Sequence, residues 1–500
     1  MTTYAELLSR PLPVRVQPTF ARAVPAMIMA LATLLPHFIL GAAFGAYGFV
    51  WIVAVTLASF VLSWEIGFAL LMACLFLQNA FIAACMPLIS DRGDFSLLLG
   101  TSFGLTTLFA LIYGPAWLKL RRELPAESGA LLRWIAIFSA VIIAYTALGA
   151  ATASATSTLV YARIYFTGAL MLIIGVAFGF QLTFSFALGV TRILTVILAM
   201  WAGLEYFFTH GLYEFFHIVE FFNYKLSSLS YATAFASIDE VIDIDTNSYL
   251  NLSGQFGLGL ELLRPLGPNF HSISYAYATA FCSLTCFMIR RPLLALISFA
   301  ILLLIGAKGP LLMTLLALGL GLLYLKTRNR RWVLIGLSVI LGLFVGGGII
   351  YGIASEDYHV VGLLGGLNGF VHNPLGRGIG VGGSLSTLGM TRANFSLFQG
   401  YGADFALESG LGVMLYQIGI GAIAFFIFYW KLWKSVWDAT GFFASEPRLI
   451  VIPVVLAFLF ANSVFQEEVF SPTGWGLWLL LSGLLLARRW RADTNHHAPV

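Results

Sequence analysis

The chain is short of charge. Only 10% of its 500 residues are Asp, Glu, Lys or Arg, against roughly a quarter in soluble domains. A sequence this poor in charge cannot coat a water-facing surface, so an ordinary soluble protein is excluded. Cysteine is equally scarce. Cys74, Cys85, Cys282 and Cys286 all fall in apolar runs, without the spacing of a metal site or a redox pair, and they read as small interior residues. The glycine-rich segments lack the Gly-Lys-Ser/Thr ending of a Walker loop. There is also no nucleophile elbow on a strand-to-helix turn, no 20-to-50-residue repeat and no low-complexity linker.

What the chain has in abundance is grease. Hydrophobic residues make up 59% and the mean hydropathy is +0.90, which describes a polytopic membrane protein. Its length would suggest about three soluble domains, but a single all-α transmembrane bundle can absorb it. A bilayer core of roughly 30 Å needs about 20 apolar residues per helix. That rule predicts about fourteen spans (12–14): 25–44, 46–63, 66–86, 95–117, 132–149, 164–182, 189–207, 271–289, 292–307, 309–325, 332–352, 410–430, 448–465 and 473–488. Two long polar loops, 208–270 and 353–409, interrupt them. Residues 1–24 are too polar for a cleaved signal peptide and form a cytoplasmic lead-in. Residues 25–488 form the bundle and 489–500 a cytoplasmic tail. Helix-borne glycines such as Gly346, Gly347 and Gly348 allow close helix contact.

Orientation follows from lysine and arginine, which are retained in cytoplasmic loops. With the N-terminus inside, 20 of the 27 basic residues face the cytoplasm. Both termini are then inside and both long loops outside. The outside carries 16 of the 23 acidic residues and seven basic ones: Arg92, Arg163, Lys225, Arg264, Lys308, Arg377 and Arg392. Cations left on the acidic side are the ones to examine for function.

Ionisable groups at membrane depth are costly and tend to face a cavity or a partner. Arg163 opens the sixth span and Lys308 sits between the ninth and tenth. Each is either a snorkelling anchor or a cation aimed into an anionic pocket. Arg264 precedes a Gly267-Pro268-Asn269 turn, after which His271 or Ser272 can cap the next helix. An arginine beside a helix N-terminus favours an anion, although simple capping is the plainer reading. In HNPLGRGIGVGG, glycines such as Gly376 and Gly378 let backbone N–H groups approach a ligand, and Arg377 adds charge. Flexible filler is the alternative there. Glu408 borders an apolar helix, where desolvation raises a carboxyl pKa towards that of a general base. Asp404 is placed to assist it. His271 and His372 are further bases or donors, though lone loop histidines are commonly incidental.

These residues resemble the O-antigen polymerase and O-antigen ligase superfamily of bacterial surface polysaccharide assembly. The resemblance rests on Arg163, on the turn with Arg264, Gly267 and Asn269, on GAKGPLL, and on HNPLGRGIG followed by ESGLGVMLYQIGIGAI. It covers about residues 160 to 470. Ala307-Lys308 replaces a serine-arginine pair found in many members, which keeps the charge but loses the bidentate fork. Glu408-Ser409 stands where ligases have a histidine-asparagine pair, which favours the polymerase branch. The resemblance implies metal-independent, inverting glycosyl transfer at the periplasmic face of the bacterial inner membrane, with no cofactor. Donor and acceptor would be oligosaccharides on undecaprenyl diphosphate, and a chain-length co-polymerase would be a further partner. No nucleic-acid partner is implied. Arg163, Arg264, Lys308, Arg377 and Arg392 would hold the diphosphate, Glu408 would take the acceptor proton, and Asn269, His372, Gly376 and Gly378 would shape the loops. The alternatives are an O-antigen ligase acting on another acceptor and, in a different class, a lipid-linked saccharide flippase.

Overall fold

The computed structural model describes residues 19–120, 126–226, 234–248, 261–355, 357–386 and 408–497. They form a helical bundle. Its first half comprises α1 (Thr19–Phe44), α2 (Gly48–Leu62), α3 (Trp64–Ala84), α4 (Arg92–Leu99), α5 (Thr101–Leu120), α6 (Ala126–Thr152), α7 (Ala155–Gln181) and α8 (Phe184–Phe207). Three short helices follow, α9 (Thr209–Phe215), α10 (Ile218–Leu226) and α11 (Ile238–Asp245). A small antiparallel ribbon pairs β1 (Thr246–Ser248) with β2 (Glu261–Leu263), with Asn247 opposite Leu262. The second half comprises α12 (Ser272–Met288), α13 (Pro292–Ile305), α14 (Lys308–Thr327), α15 (Arg330–Ala354), α16 (Tyr358–His372), α17 (Gly410–Ile418), α18 (Ala422–Phe442), α19 (Val451–Asn462) and α20 (Leu477–His497).

Helix starts are chemically marked. Side chains of Ser63, Ser154, Thr183, Asp357 and Ser409 each accept a backbone N–H from the first turn that follows, which satisfies a donor the helix cannot use itself.

Among the described residues, eight stretches are long and apolar enough to cross a membrane. The bent pair Arg92–Leu99 and Thr101–Gly114, 48° apart, makes nine if it is one broken span. The expected fourteen is a larger number, and the difference has several sources: helix length, two expected spans that fall in one stretch, and the charged second half of the 21-residue α20. Helices α12, α13 and α19 have 17, 14 and 12 residues, or about 26, 21 and 18 Å at 1.5 Å per residue, short of a bilayer core. One of the eight stretches, Phe20–Leu62, comprises two helices folded against each other, with Trp51 Nε1 donating to the Thr33 carbonyl at 3.0 Å.

The expected loop 353–409 is also corrected in part. It contains the 15-residue helix α16, capped by Asp357 and buried along Val360, Gly362, Leu363, Gly365 and Gly366. Its glycines diluted the apolar pattern in sequence, yet they are what allow close packing: a Cβ on Gly366 would lie 2.2 Å from the Gly412 carbonyl oxygen.

The most extensive seam of the bundle joins α7 to α20 and to the turn that leads into it. A Cβ on Gly168 would meet the Trp475 ring at 2.5 Å, and one on Gly175 the Leu480 carbonyl oxygen at 2.2 Å. Backbone-to-backbone approach of this kind is available only to small residues. Around the seam, Phe470 and Phe425 pack on Trp475 with ring centroids 4.8 and 5.9 Å away, and Trp475 and Trp478 are fully buried. Gly175→Leu should therefore cost about 3 kcal/mol or more through overpacking against main chain. Thermal unfolding in detergent will read this as a large drop in melting temperature. Gly203→Ala, where nothing lies within 4 Å, should not lower it.

Candidate active site

A cavity of about 850 Å³ opens at one end of the bundle. Its cations come from segments far apart in the chain: Arg163 from α7, Lys225 from α10, Arg264 after β2 and Lys308 at the start of α14. Its carboxylates are Asp357, Glu408, Glu467 and Glu468, and both His271 and His359 face it. One side of the wall is apolar, built from Leu304, Leu312 and Phe344, with Gly348 giving room.

Each cation is positioned by local structure. Helix α13 ends at Gly306 in a left-handed conformation, and α14 begins two residues later on Lys308. Arg264 donates from Nε to the Ile305 carbonyl at 3.1 Å, which ties the chain before α12 to that same turn. Behind Arg264, Glu205 of α8 accepts the N–H of Leu266 at 2.6 Å and of Gly267 at 3.0 Å, together with the Tyr213 hydroxyl and the Trp201 ring N–H. A fully buried carboxylate with four donors fixes the turn that carries the site. Asn269 completes the brace, donating to the Leu75 carbonyl while its own carbonyl accepts from Asn79 Nδ2 at 2.6 Å.

The carboxylates lie in distinct environments. Glu408 is hydrogen-bonded to Tyr358, and its Oε2 is 3.6 Å from His359 Nδ1. Desolvation raises its pKa above the ordinary carboxyl value, and the negative charges of Asp357 and Glu468 add to that. Glu467 is buried with Ser384 Oγ donating to it at 2.6 Å. Tyr161 is bonded to it as well, and burial pushes it up to about 7. Its Oε1 has no hydrogen-bond partner among the described residues. Glu468 accepts from Ser274 Oγ at 2.7 Å and lies within electrostatic reach of Arg163.

Burial disfavours the charged form of both cavity histidines. His271 caps α12, accepting the Ser274 N–H at Nδ1, which leaves the ring proton on Nε2 and makes the residue a donor. Desolvation lowers its pKa; the Glu468 charge works in the opposite direction, and Lys225 and Arg264 lower it further. Its side chain keeps 43% of its surface although protein surrounds it, so what it meets is the cavity. Burial likewise lowers His359, aided by Lys308, while Asp357 works in the opposite direction.

Six of the residues singled out in the sequence meet here: Arg163, Arg264, Asn269, His271, Lys308 and Glu408. Four others do not line this cavity. The Arg377 guanidinium donates to the Gly369 carbonyl at 2.9 Å and stacks 4.1 Å from the Tyr416 ring centroid. The expected ligand-facing N–H groups are already used, with Arg377 and Gly378 donating to the Gln417 carbonyl and Gly376 to that of Asn373. Gly376 and Gly378 have φ of +79° and +102° and press against Gly419 and Gly149. Their freedom serves a backbone wedge between α6 and the α17–α18 junction. His372 is exposed, with Nδ1 2.9 Å from the Asn368 carbonyl oxygen. Asp404 and Arg392 lie outside the described residues.

The residues that sequence reasoning overlooked are His359, Glu467 and Glu468, while Lys225, counted among the outside cations but given no role of its own, joins the cavity as well. For the glutamates a clue was available: Gln466-Glu467-Glu468 is a polar break between two apolar runs, where a charge is costly unless it faces a cavity. No protein-family model matches the chain, and no curated protein is significantly similar to it.

Glu467 gives a test with a definite sign. Its folded pKa is raised from 4.5 to about 7, so the unfolded chain releases the proton first, and stability is lost as pH rises through that window. The lowered histidines shift stability the opposite way, so the comparison is between variants. Glu467→Gln should gain melting temperature relative to the unsubstituted protein as pH rises from about 4.5 to about 7. A constant difference across that range would contradict the burial assignment.

Proposed function

We propose that the protein is a polysaccharide polymerase that joins oligosaccharide repeat units carried on undecaprenyl diphosphate. The observation that carries this reading is the convergence of Arg163, Lys225, Arg264 and Lys308 with Glu408 in one cavity beside an apolar wall. A diphosphate is a poor leaving group until its growing charge is met by preorganised cations. A hydroxyl becomes a useful nucleophile when a base of suitable pKa accepts its proton. The cavity offers both beside a surface suited to a prenyl chain. The resemblance of the Arg264, Lys308 and Glu408 segments to the O-antigen polymerases supports the same reading.

In this mechanism the acceptor hydroxyl gives its proton to Glu408 while its oxygen attacks the anomeric carbon of the donor. The bond from that carbon to the diphosphate oxygen breaks, and its electron pair leaves with the lipid diphosphate. Attack opposite to departure inverts the anomeric centre. Lys225, Arg264, Lys308 and Arg163 stabilise the departing anion. Neutral His271 donates from Nε2 to a phosphate or sugar oxygen, and the neutral form of Glu467 limits the negative charge near the leaving group. The proposal extends to about fourteen spans in a bacterial inner membrane, with the cavity on the periplasmic face and both termini in the cytoplasm.

Two outcomes follow. Glu408→Gln should lower polymer formation by roughly 10²–10⁴-fold, with cells exporting single repeat units; normal polymer length and yield would remove Glu408 as the base. Cells lacking the protein that retain single lipid-linked units on the cytoplasmic face would point instead to a flippase. Arg264→Ala and Lys308→Ala should each weaken binding of a lipid diphosphate by about tenfold, the scale of one charge-assisted contact. Arg377→Ala should leave that affinity unchanged and lower the melting temperature. The reverse pattern, read by lipid titration of the purified protein, would move the diphosphate away from the cavity.

A further inference from the structure

A second cavity, of about 560 Å³, shares no lining residue with the first. It lies where the start of α8, the end of α12, the segment leading into α19 and the polar part of α20 come together. Arg290, Arg448, Arg488 and Arg491 line it against a single acidic residue, Glu446. Every one of these arginines belongs to the set that the charge count assigns to the cytoplasmic face.

Glu446 is already engaged. Both terminal nitrogens of Arg488 donate to its two oxygens, a fork-to-carboxylate pair that consumes the cavity's one anion. Arg448 donates instead to the neutral Phe287 carbonyl at 3.2 Å and sits 5.2 Å from the Phe287 ring centroid. It is close enough to Arg290 for the two charges to repel, and Arg488 and Arg491 repel in the same way. Arg290 also occupies the left-handed position just past α12, at φ 60°, where glycine is the usual residue. Guanidinium groups crowded like this are destabilising unless an anion shares them. Leu188, Met288, Ile289 and Leu449 supply an apolar wall beside the arginines.

We propose that this cavity binds the phosphodiester group of an anionic phospholipid. A phosphodiester carries one negative charge on two free oxygens, which suits the planar donor fork of arginine. Basic pockets between helices at the cytoplasmic face are suited to lipid head groups, and the apolar wall provides for acyl chains. Soluble phosphate shares the chemistry but makes no use of that wall.

The test uses the full chain purified in detergent, with bound lipid read by native mass spectrometry. The unsubstituted protein should retain phosphatidylglycerol about tenfold better than phosphatidylcholine of the same acyl chains. The double variant Arg290→Gln, Arg448→Gln should lose that preference, while Lys431→Gln, outside the cavity, should keep it. If the double variant unfolds at lower temperature, Arg290→Gln alone is read, with about a threefold loss expected; Arg290 is exposed. Millimolar inorganic phosphate should leave the lipid in place. Equal retention of both lipids, a preference unchanged in both variants, or complete displacement by inorganic phosphate would each overturn the assignment.

Discussion

Placing a charge inside an apolar bundle costs free energy, and the interior of this protein is arranged around that cost. Four cations and four carboxylates share one cavity, so each charge is offset by another or by room for water. Where the offset is incomplete, protonation makes up the difference. Glu467, buried with one oxygen unbonded among the described residues, is pushed up to about 7, and burial disfavours charge on His271 and His359. The cavity thus gathers groups whose protonation is set by their surroundings, which is what proton transfer near neutral pH requires.

The same constraint explains the scaffold behind the site. Glu205 would be intolerable in the bundle without partners, and it acquires four by drawing the Leu266–Gly267 backbone onto itself. A buried acid that does not line the cavity thereby orients Arg264, Asn269 and His271 in a single turn. The energy that holds the carboxylate is the energy that shapes the loop. An apolar residue at 205 would pack more cheaply and leave that turn without its anchor.

Much of the architecture was legible in the sequence because apolar runs, caps and left-handed helix ends are local features. The starts of α12 and α14, and with them His271 and Lys308, fall close to the predicted places, whereas α7 begins at Ala155, so Arg163 lies two turns inside the helix it was expected to open. Lengths were harder to read, since an apolar run does not reveal that a 3-10 turn over Pro447–Ile450 gives way to α-helix only at Val451. The glycine-rich segment was misread because its meaning lies in contacts far along the chain: Tyr145 donates its hydroxyl to the Leu375 carbonyl across 230 residues. In sequence, glycines around an arginine suggest a ligand cradle; in the fold, other backbone already fills the cradle. His359 was missed because its surroundings read as a loop, and Lys225, though counted among the outside cations, received no role because a loop charge has no evident partner until the fold gives it neighbours.

The seam between α7 and α20 has a bearing on the candidate site. Arg163 projects from the same helix whose glycines lie flush against α20, five residues before Gly168. A helix clamped along its main chain cannot rock or slide without separating that contact. The cation it carries is therefore ordered before any ligand arrives, and the entropy of fixing its backbone is lost during folding. Loosening the seam at Gly175, some twelve residues along α7, would turn Arg163 from a fixed feature of the cavity wall into one that each binding event must order afresh.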